Sequence, residues 1–111
     1  MDKLEQYRGY IQQLLTEYAQ PSSANSEIEK QFISDLVHDH YQLVYVGWKN
    51  RRRTYGCVLH LDIKNGKIWI QHDGTEIGIA DELVKLGVPK EDIVLAFHEP
   101  LVRQYTGFAV G

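Results

Sequence analysis

Three apolar runs of strand length follow one another through residues 41–73, and two turn signals separate them. The second signal is Asn65-Gly66, the residue pair that best tolerates the two positive φ angles of a type I′ hairpin turn. The pattern therefore predicts an antiparallel meander. With Asn65 and Gly66 as the loop residues, the predicted strand pairs are Lys64/Lys67, Ile63/Ile68, Asp62/Trp69, Leu61/Ile70, His60/Gln71 and Leu59/His72.

This register sorts the side chains into two faces, because successive residues of a strand point to opposite sides of the sheet. One face is predicted to be core. The other is mixed polar and aromatic, which is typical of a surface that is half wet or that contacts another chain. His72 falls on the face opposite to His60. The core face carries Leu59, Leu61, Ile63, Ile68 and Ile70, and the other carries Val58, His60, Asp62, Trp69 and Gln71.

The segments around the meander predict two helices and two further strands. Apolar residues at three- and four-residue spacings indicate helices over residues 2–19, capped by Asp2, and over residues 77–86. Residues 27–36 fit a helix or an edge strand, and we favour the strand. The branched apolar residues of 92–98 predict a further strand. Residues 21–26 form a short linker, and the tail after Pro100 contains one helical turn.

These elements predict the α+β class in a single domain over residues 1–111. Its mainly antiparallel sheet, the meander, has the N-terminal helix and the second helix packed on one face. An apolar share of 43% is ordinary for a globular protein, and no apolar run approaches the ~20 residues of a membrane span. The first ten residues lack the apolar centre of a secretory signal, so we expect a cytoplasmic chain.

The charge of the chain opposes tight direct binding to DNA. It has 12 basic and 15 acidic residues, for a net charge of −3, whereas duplex-DNA binders gain most of their affinity from lysines and arginines on phosphates. The one concentrated basic stretch, residues 49–53, is predicted at the tip of the first hairpin. Its arginines could contact phosphates or a partner's carboxylates, or be solvated, as charges at a hairpin tip most often are.

Five histidines raise the question of a metal site. No HxxxH or CxxC spacing supplies a ready ligand pair, and the predicted register separates His60 from His72, so we assign no metal, cofactor or catalytic residue. Asp62 and Lys64 have the D/E-x-K spacing of metal-dependent nucleases, but a hairpin turn accounts for both. The single cysteine, Cys57, is predicted to be a small buried hydrophobe rather than a reactive thiol.

Seven tyrosines and two tryptophans exceed what a core of this size needs, and aromatic residues are enriched at interfaces. We therefore expect the polar and aromatic face of the meander to bind a partner or a second copy of the chain, with Trp69 near the centre. Trp69→Ala should then weaken assembly by about 2 kcal/mol or more. The candidate partner-binding residues are Trp48, Arg51, Arg52, Arg53, His60, Trp69 and Gln71.

Two stretches, GKIWIQHDGTE at residues 66–76 and GVPKEDIVL at residues 87–95, carry a resemblance to a known family. The chain resembles the XisI-like family of element excision controlling factors from cyanobacteria. The resemblance implies an accessory role in the site-specific excision of a DNA element, a form of DNA recombination. It also implies an XisH-like companion protein that resembles a nuclease. The recombinase itself is a different protein.

The leading hypothesis is a non-enzymatic controlling factor that binds this XisH-like companion, forms a homo-oligomer and acts on DNA only indirectly. An antitoxin-like inhibitor that masks the companion is one alternative. A metal-dependent hydrolase using His60, Asp62 and Asp73 is another. Neither composition nor pattern separates an activator of the companion from an inhibitor.

Overall fold

The computed structural model describes residues 2–21 and 27–111, so residues 22–26 of the predicted linker lie outside its described part. Helices and one sheet make up the described chain, and the predicted α+β class is confirmed. In chain order the elements are α1 (Lys3–Tyr18), β1 (Ile28–Asp35), β2 (His40–Lys49), β3 (Arg52–Lys64), β4 (Lys67–Asp73), α2 (Ile79–Leu86), the 3₁₀ turn Lys90–Asp92, β5 (Ile93–Leu95) and α3 (Pro100–Arg103).

Both main helices begin and end near the positions that the sequence predicts. The carboxylate of Asp2 caps α1 by accepting a hydrogen bond from the Leu4 N–H at 3.2 Å. Helix α2 begins at Ile79, two residues later than predicted, because the Asp73 carboxylate accepts a hydrogen bond from the Ile79 N–H at 2.8 Å. Gly87 ends α2 in the left-handed conformation, with a φ of 117°.

The five strands lie in the order β1-β2-β3-β4-β5, so strands adjacent in sequence are adjacent in the sheet. The first four are antiparallel, and the short β5 runs parallel to β4. The ambiguous residues 27–36 contain the edge strand β1, as we favoured. Of the predicted strand 92–98, only Ile93–Leu95 form a strand, because the chain turns on both sides of this segment. The Ala96 N–H still donates to the Ile70 carbonyl of β4 at 2.9 Å.

Helices α1 and α2 cover one face of the sheet, which we call the core face. All five side chains predicted for this face are buried. Above them lie Ile11 and Leu15 of α1 and Ile79 and Leu83 of α2, each fully buried. Full burial of one such side chain contributes about 1.5–3 kcal/mol, so this face supplies most of the folding energy. The core-face residues are Tyr41, Leu43, Leu59, Leu61, Ile63, Ile68 and Ile70.

Two tight turns of the same kind join the strands of the meander. Asn65 and Gly66 have φ angles of 54° and 76°, which confirms the predicted turn between β3 and β4. Asn50 and Arg51, with φ angles of 52° and 65°, form the turn between β2 and β3. A positive φ is unfavourable for an arginine, so the β2–β3 turn has a less favourable residue at the position that Gly66 occupies in the β3–β4 turn.

The predicted register is correct near the turn and wrong beyond Ile70. The pairs from Lys64/Lys67 to Leu61/Ile70 are observed, but His60 then pairs with His72, and Leu59 pairs with Asp73. Gln71 is the extra residue of a β-bulge, which inserts one residue into one strand only. The predicted pairs His60/Gln71 and Leu59/His72 are therefore wrong. The placement of His72 on the face opposite to His60 is also wrong, since directly paired residues share a face.

A second bulge lies between β2 and β3, where Val44 pairs with Cys57 and Leu43 pairs with Leu59. Val58 is the extra residue on the longer strand. The shift by one residue brings His40 opposite Asp62 and Gln42 opposite His60. Without this bulge, His40 would lie opposite Leu61 instead, and the polar residues of the two strands would not meet.

The side of the sheet away from α1 and α2, which we call the outer face, is only partly covered. Ala109 pairs with Val94, and its N–H donates to the Ile93 carbonyl at 2.8 Å, so the C-terminal segment lies along β5. Most side chains on the rest of the face are exposed or half-buried, although Val44 is buried. The residues of this face are Glu29, Gln31, Ile33 and Asp35 of β1, His40, Gln42, Val44, Val46 and Trp48 of β2, Arg53, Tyr55, Cys57, His60 and Asp62 of β3, and Trp69, Gln71 and His72 of β4.

Cys57 lies on this outer face, so the prediction that it is buried is wrong. It pairs with Val44, and its thiol donates to the Leu59 carbonyl with an S–O distance of 3.1 Å. Partial burial of the sulfur raises the pKa of the thiol above its ordinary value. Cys57 is therefore accessible but holds its proton firmly at neutral pH.

Candidate functional site

A polar cluster on the outer face joins β2, β3 and β4. His40 Nδ1 lies 2.8 Å from Asp62 Oδ1, and His60 Nε2 lies 3.1 Å from the same oxygen. The amide of Gln71 donates to the other oxygen, Asp62 Oδ2, at 3.2 Å. The hydrogen bond to Asp62 raises the pKa of His40 above its ordinary value, because the carboxylate favours the charged imidazole. The carboxylate is thus held on both sides.

The tip of the β2–β3 hairpin presents an aromatic and basic surface. The Trp48 side chain is 58% exposed, and the guanidinium carbon of Arg53 lies 5.6 Å from the centre of its ring. Such a contact between a cation and an aromatic ring contributes about 0.5–1 kcal/mol at an exposed site. Arg51 and Arg52 are exposed beside it, and a shallow concavity is lined by Trp48, Asn50 and Arg51 with Glu27 and Gly47.

Trp69 has a different environment, because its own chain half-buries it. The indole N–H donates to the Lys64 carbonyl at 3.0 Å. The ammonium of Lys64 lies 4.9 Å from the ring centre, and the guanidinium carbon of Arg103 lies 5.7 Å from it. Arg103 also donates to the carbonyls of His98 and Ala96, which fixes the C-terminal segment beside the indole.

The candidate partner-binding residues thus fall into two groups. His60 and Gln71 meet around Asp62, and Trp69 pairs with Asp62 on the next strand. Trp48 and the three arginines lie at the other end of the meander, about 23 Å away along β3 for seven residues at ~3.3 Å each. The outer face therefore offers a polar centre and a separate basic, aromatic tip.

The trio suggested for a hydrolase is not brought together. Asp73 accepts hydrogen bonds from the Thr75 N–H and hydroxyl and from the Ile79 N–H, so its carboxylate is engaged in the turn before α2. His60 and Asp62 meet His40 instead. Sequence reasoning missed His40, because its position opposite Asp62 depends on the bulge at Val58, for which the sequence gives no signal.

Fold and surface together define a class of small α+β proteins with a five-stranded sheet, covered by two helices on one face and partly open on the other. The chain belongs to the XisI protein family, which it matches over residues 1–110. No helix in the described residues is long and apolar enough to cross a membrane.

Two solved structures are similar to this chain over almost its whole length. A XisI-like protein from Anabaena variabilis ATCC 29413 is 45% identical, with a TM-score of 0.90 over 97% of this chain and 99% of that one. The fdxN element excision controlling factor XisI from the same organism is 38% identical, with a TM-score of 0.84 over 99% of this chain and 100% of that one. No curated protein matches the chain.

Proposed function

We propose that this chain is a non-enzymatic accessory factor for the site-specific excision of a DNA element and that it acts through an XisH-like companion protein. The observation that carries the proposal is the likeness to the fdxN element excision controlling factor XisI, which covers 99% of this chain. The proposed role implies a cytoplasmic location.

The charge of the chain favours action through a protein rather than directly on DNA. Its net charge is −3, and binding to duplex DNA depends mainly on phosphate contacts by basic residues. The basic residues at the hairpin tip are Lys49 and three consecutive arginines, and Arg53 contacts the ring of Trp48. A planar guanidinium beside an exposed aromatic ring is well suited to binding acidic side chains of a partner protein.

The companion-binding surface that we propose is the outer face with its hairpin tip. Tyr55 lies on the same face as Trp48 and is 73% exposed. Exposed tryptophan and tyrosine side chains often contribute much of the binding energy of an interface. Trp48 is open to a partner, whereas Lys64 and Arg103 lie over the ring of Trp69. We therefore expect Trp48 to contribute more than Trp69, which was the centre predicted from the sequence.

A non-enzymatic role agrees with the placement of the reactive side chains in residues 2–21 and 27–111. The thiol of Cys57 has a raised pKa and donates to a backbone carbonyl, so it is not activated as a nucleophile. Asp73, one of the three residues of the hydrolase alternative, stabilises a turn.

Co-purification with the companion tests this proposal. We expect Trp48→Ala to weaken the complex by about 2 kcal/mol, the typical loss on truncation of an aromatic anchor. Tyr105→Ala is the matched control, since Tyr105 is an 82% exposed aromatic residue of the C-terminal segment. Equal binding by wild type and Trp48→Ala would contradict the proposed surface.

The same purified pair decides how this chain acts on its companion. We expect the companion's activity on DNA to depend on the presence of this chain, measured by a nuclease assay with and without it. Inhibition of the companion would instead favour the antitoxin-like alternative. Tight, sequence-specific binding of DNA by this chain alone, at a stated salt concentration, would contradict an indirect role.

A further inference from the structure

Two histidines and one carboxylate converge on a single point of the outer face. His40 Nδ1 and His60 Nε2 lie 2.8 Å and 3.1 Å from the same atom, Asp62 Oδ1. Each of the three residues offers one donor atom within 4.8 Å of the donor atoms of the other two. A cation at this point would take the place of the protons through which the two imidazoles can hydrogen-bond to the carboxylate oxygen.

We propose that His40, His60 and Asp62 bind a divalent transition-metal ion of the zinc class. Imidazole nitrogen and carboxylate oxygen bind zinc at about 2.0–2.2 Å, so neighbouring donors around a tetrahedral ion lie about 3.3 Å apart. Two of the three separations are within about 0.5 Å of that value. The third separation, between the two imidazole nitrogens, is at most 4.8 Å. It must therefore shorten by at most about 1.5 Å, which a rotation of the exposed His40 ring can provide.

The supporting structure is rigid and orients the ligands. His40 pairs with Asp62, and Gln42 pairs with His60, so neighbouring strands fix the spacing of the three ligands. Gln71 donates to Asp62 Oδ2 and leaves Oδ1 for the ion. The Gln42 amide lies 3.5 Å from His60 Nδ1, and a flip of that amide presents its oxygen to the Nδ1–H, as outer-shell groups of zinc sites do.

The site is accessible from solvent, and its coordination is incomplete. The side chains of His40, His60 and Asp62 are 56%, 31% and 16% exposed, so an ion can enter from the open side. Three protein ligands leave a fourth position of a tetrahedral ion for water or for a group from another molecule. This inference is independent of the companion protein, because every ligand comes from this chain.

Calorimetric titration with Zn²⁺ and visible spectroscopy with Co²⁺ test the site on the purified full-length chain. We expect one ion per chain and the absorption of four-coordinate cobalt. His60→Ala and Asp62→Asn should each lower the affinity at least tenfold, because ligand loss exceeds the 10- to 100-fold effect of outer-shell changes. His72→Ala should leave it unchanged, because His72 lies beside His60 in the sheet but is not one of the three residues whose donor atoms converge.

Thermal unfolding provides a second readout that does not depend on the affinity measurement. Zn²⁺ should raise the unfolding midpoint of the wild type and of His72→Ala, because binding to the native state alone stabilises it. It should not raise that of His40→Gln, a change at the most exposed ligand. Absence of one-to-one binding, or binding unaffected by both Asp62→Asn and His60→Ala, would overturn the site. So would an equal loss of affinity in His72→Ala.

Discussion

The two faces of this sheet use the same strands for different purposes. The core face is closed by α1 and α2, and its side chains are apolar and buried. The outer face carries the polar cluster around Asp62, the exposed Trp48 and Tyr55, and a C-terminal segment that covers only β5 and part of β4. The difference indicates that stability resides mainly on one face, which leaves the other free for contacts with other molecules.

A large-to-small change on each face should give the largest contrast. Leu61→Ala on the core face removes a fully buried side chain, and we expect it to lower the free energy of unfolding by about 2–5 kcal/mol. Ile33→Ala removes a 48% exposed side chain of β1 opposite Gln42 and should cost about 1 kcal/mol or less. Urea unfolding of both variants measures the contrast, and equal losses would contradict the division of roles.

The turns fix which residues reach each face, so strain in a turn should have the next largest effect. Gly66→Val places a β-branched residue at a φ of 76° and should cost more than the ~1 kcal/mol of an ordinary glycine replacement. A Cβ at position 66 would have no atom within 4 Å. The expected loss of stability therefore comes from the backbone conformation rather than from a steric clash. A neutral result in thermal unfolding would mean that the turn does not hold the register.

Arg51→Gly in the other turn is the converse variant. Arg51 has a φ of 65°, so a glycine there should relieve unfavourable backbone geometry and raise the free energy of unfolding by up to about 1 kcal/mol. The sign of the change, opposite to that of Gly66→Val, is the informative result. A loss of stability in Arg51→Gly would show that the arginine makes a compensating contact.

A smaller, pH-dependent effect on stability should come from the ion pair between Arg8 of α1 and Asp39, the residue just before β2. Arg8 donates to Asp39 Oδ1 at 2.8 Å and to Oδ2 at 3.0 Å, and Tyr41 donates to Oδ1 as well, so the pKa of Asp39 lies below its ordinary value. This stabilisation is fully present above the unfolded value of about 3.9 and is lost as the pH falls toward the folded pKa.

Asp39→Asn removes the charge but keeps a residue that tolerates the φ of 58° at this position. The variant should therefore be less stable than the wild type at pH 7, and the difference should narrow below about pH 4. Thermal midpoints at pH 7, 4 and 3 measure it. A difference that stays constant over this range would exclude a contribution from the ionised carboxylate.

Sequence patterns predict the core face well and the outer face poorly, for a physical reason. Alternation and the Asn65-Gly66 turn suffice to place Leu61, Ile68 and Ile70, because burial of apolar side chains dominates their positions. The polar cluster depends on two bulges, at Val58 and Gln71, and single residues such as these carry no distinctive bulge signal.

The environment of Trp69 is a second feature that local patterns do not contain. Its ring contacts Arg103, a residue 34 positions further along the chain, and that contact exists only because the C-terminal segment returns to pair with β5. Arg51 at a positive φ is a third such feature, since arginine is not a typical turn residue there. Each depends on long-range packing rather than on propensity.

Cys57 provides a native probe of the outer face, because it is the single cysteine of the chain and is exposed on that face. A matched probe for the opposite side of the molecule is Gln13→Cys in a Cys57→Ser background, since Gln13 is exposed on α1. Alkylation of either thiol by a maleimide can be followed by mass spectrometry of its own peptide.

The most direct test of the outer face as the companion-binding surface is the alkylation rate of Cys57 with and without saturating XisH-like companion. We predict that the companion slows alkylation of Cys57 severalfold and leaves the alkylation rate of the α1 thiol in the Gln13→Cys variant unchanged. An unchanged rate at Cys57 in a complex that demonstrably forms, or protection of the α1 thiol instead, would contradict the account.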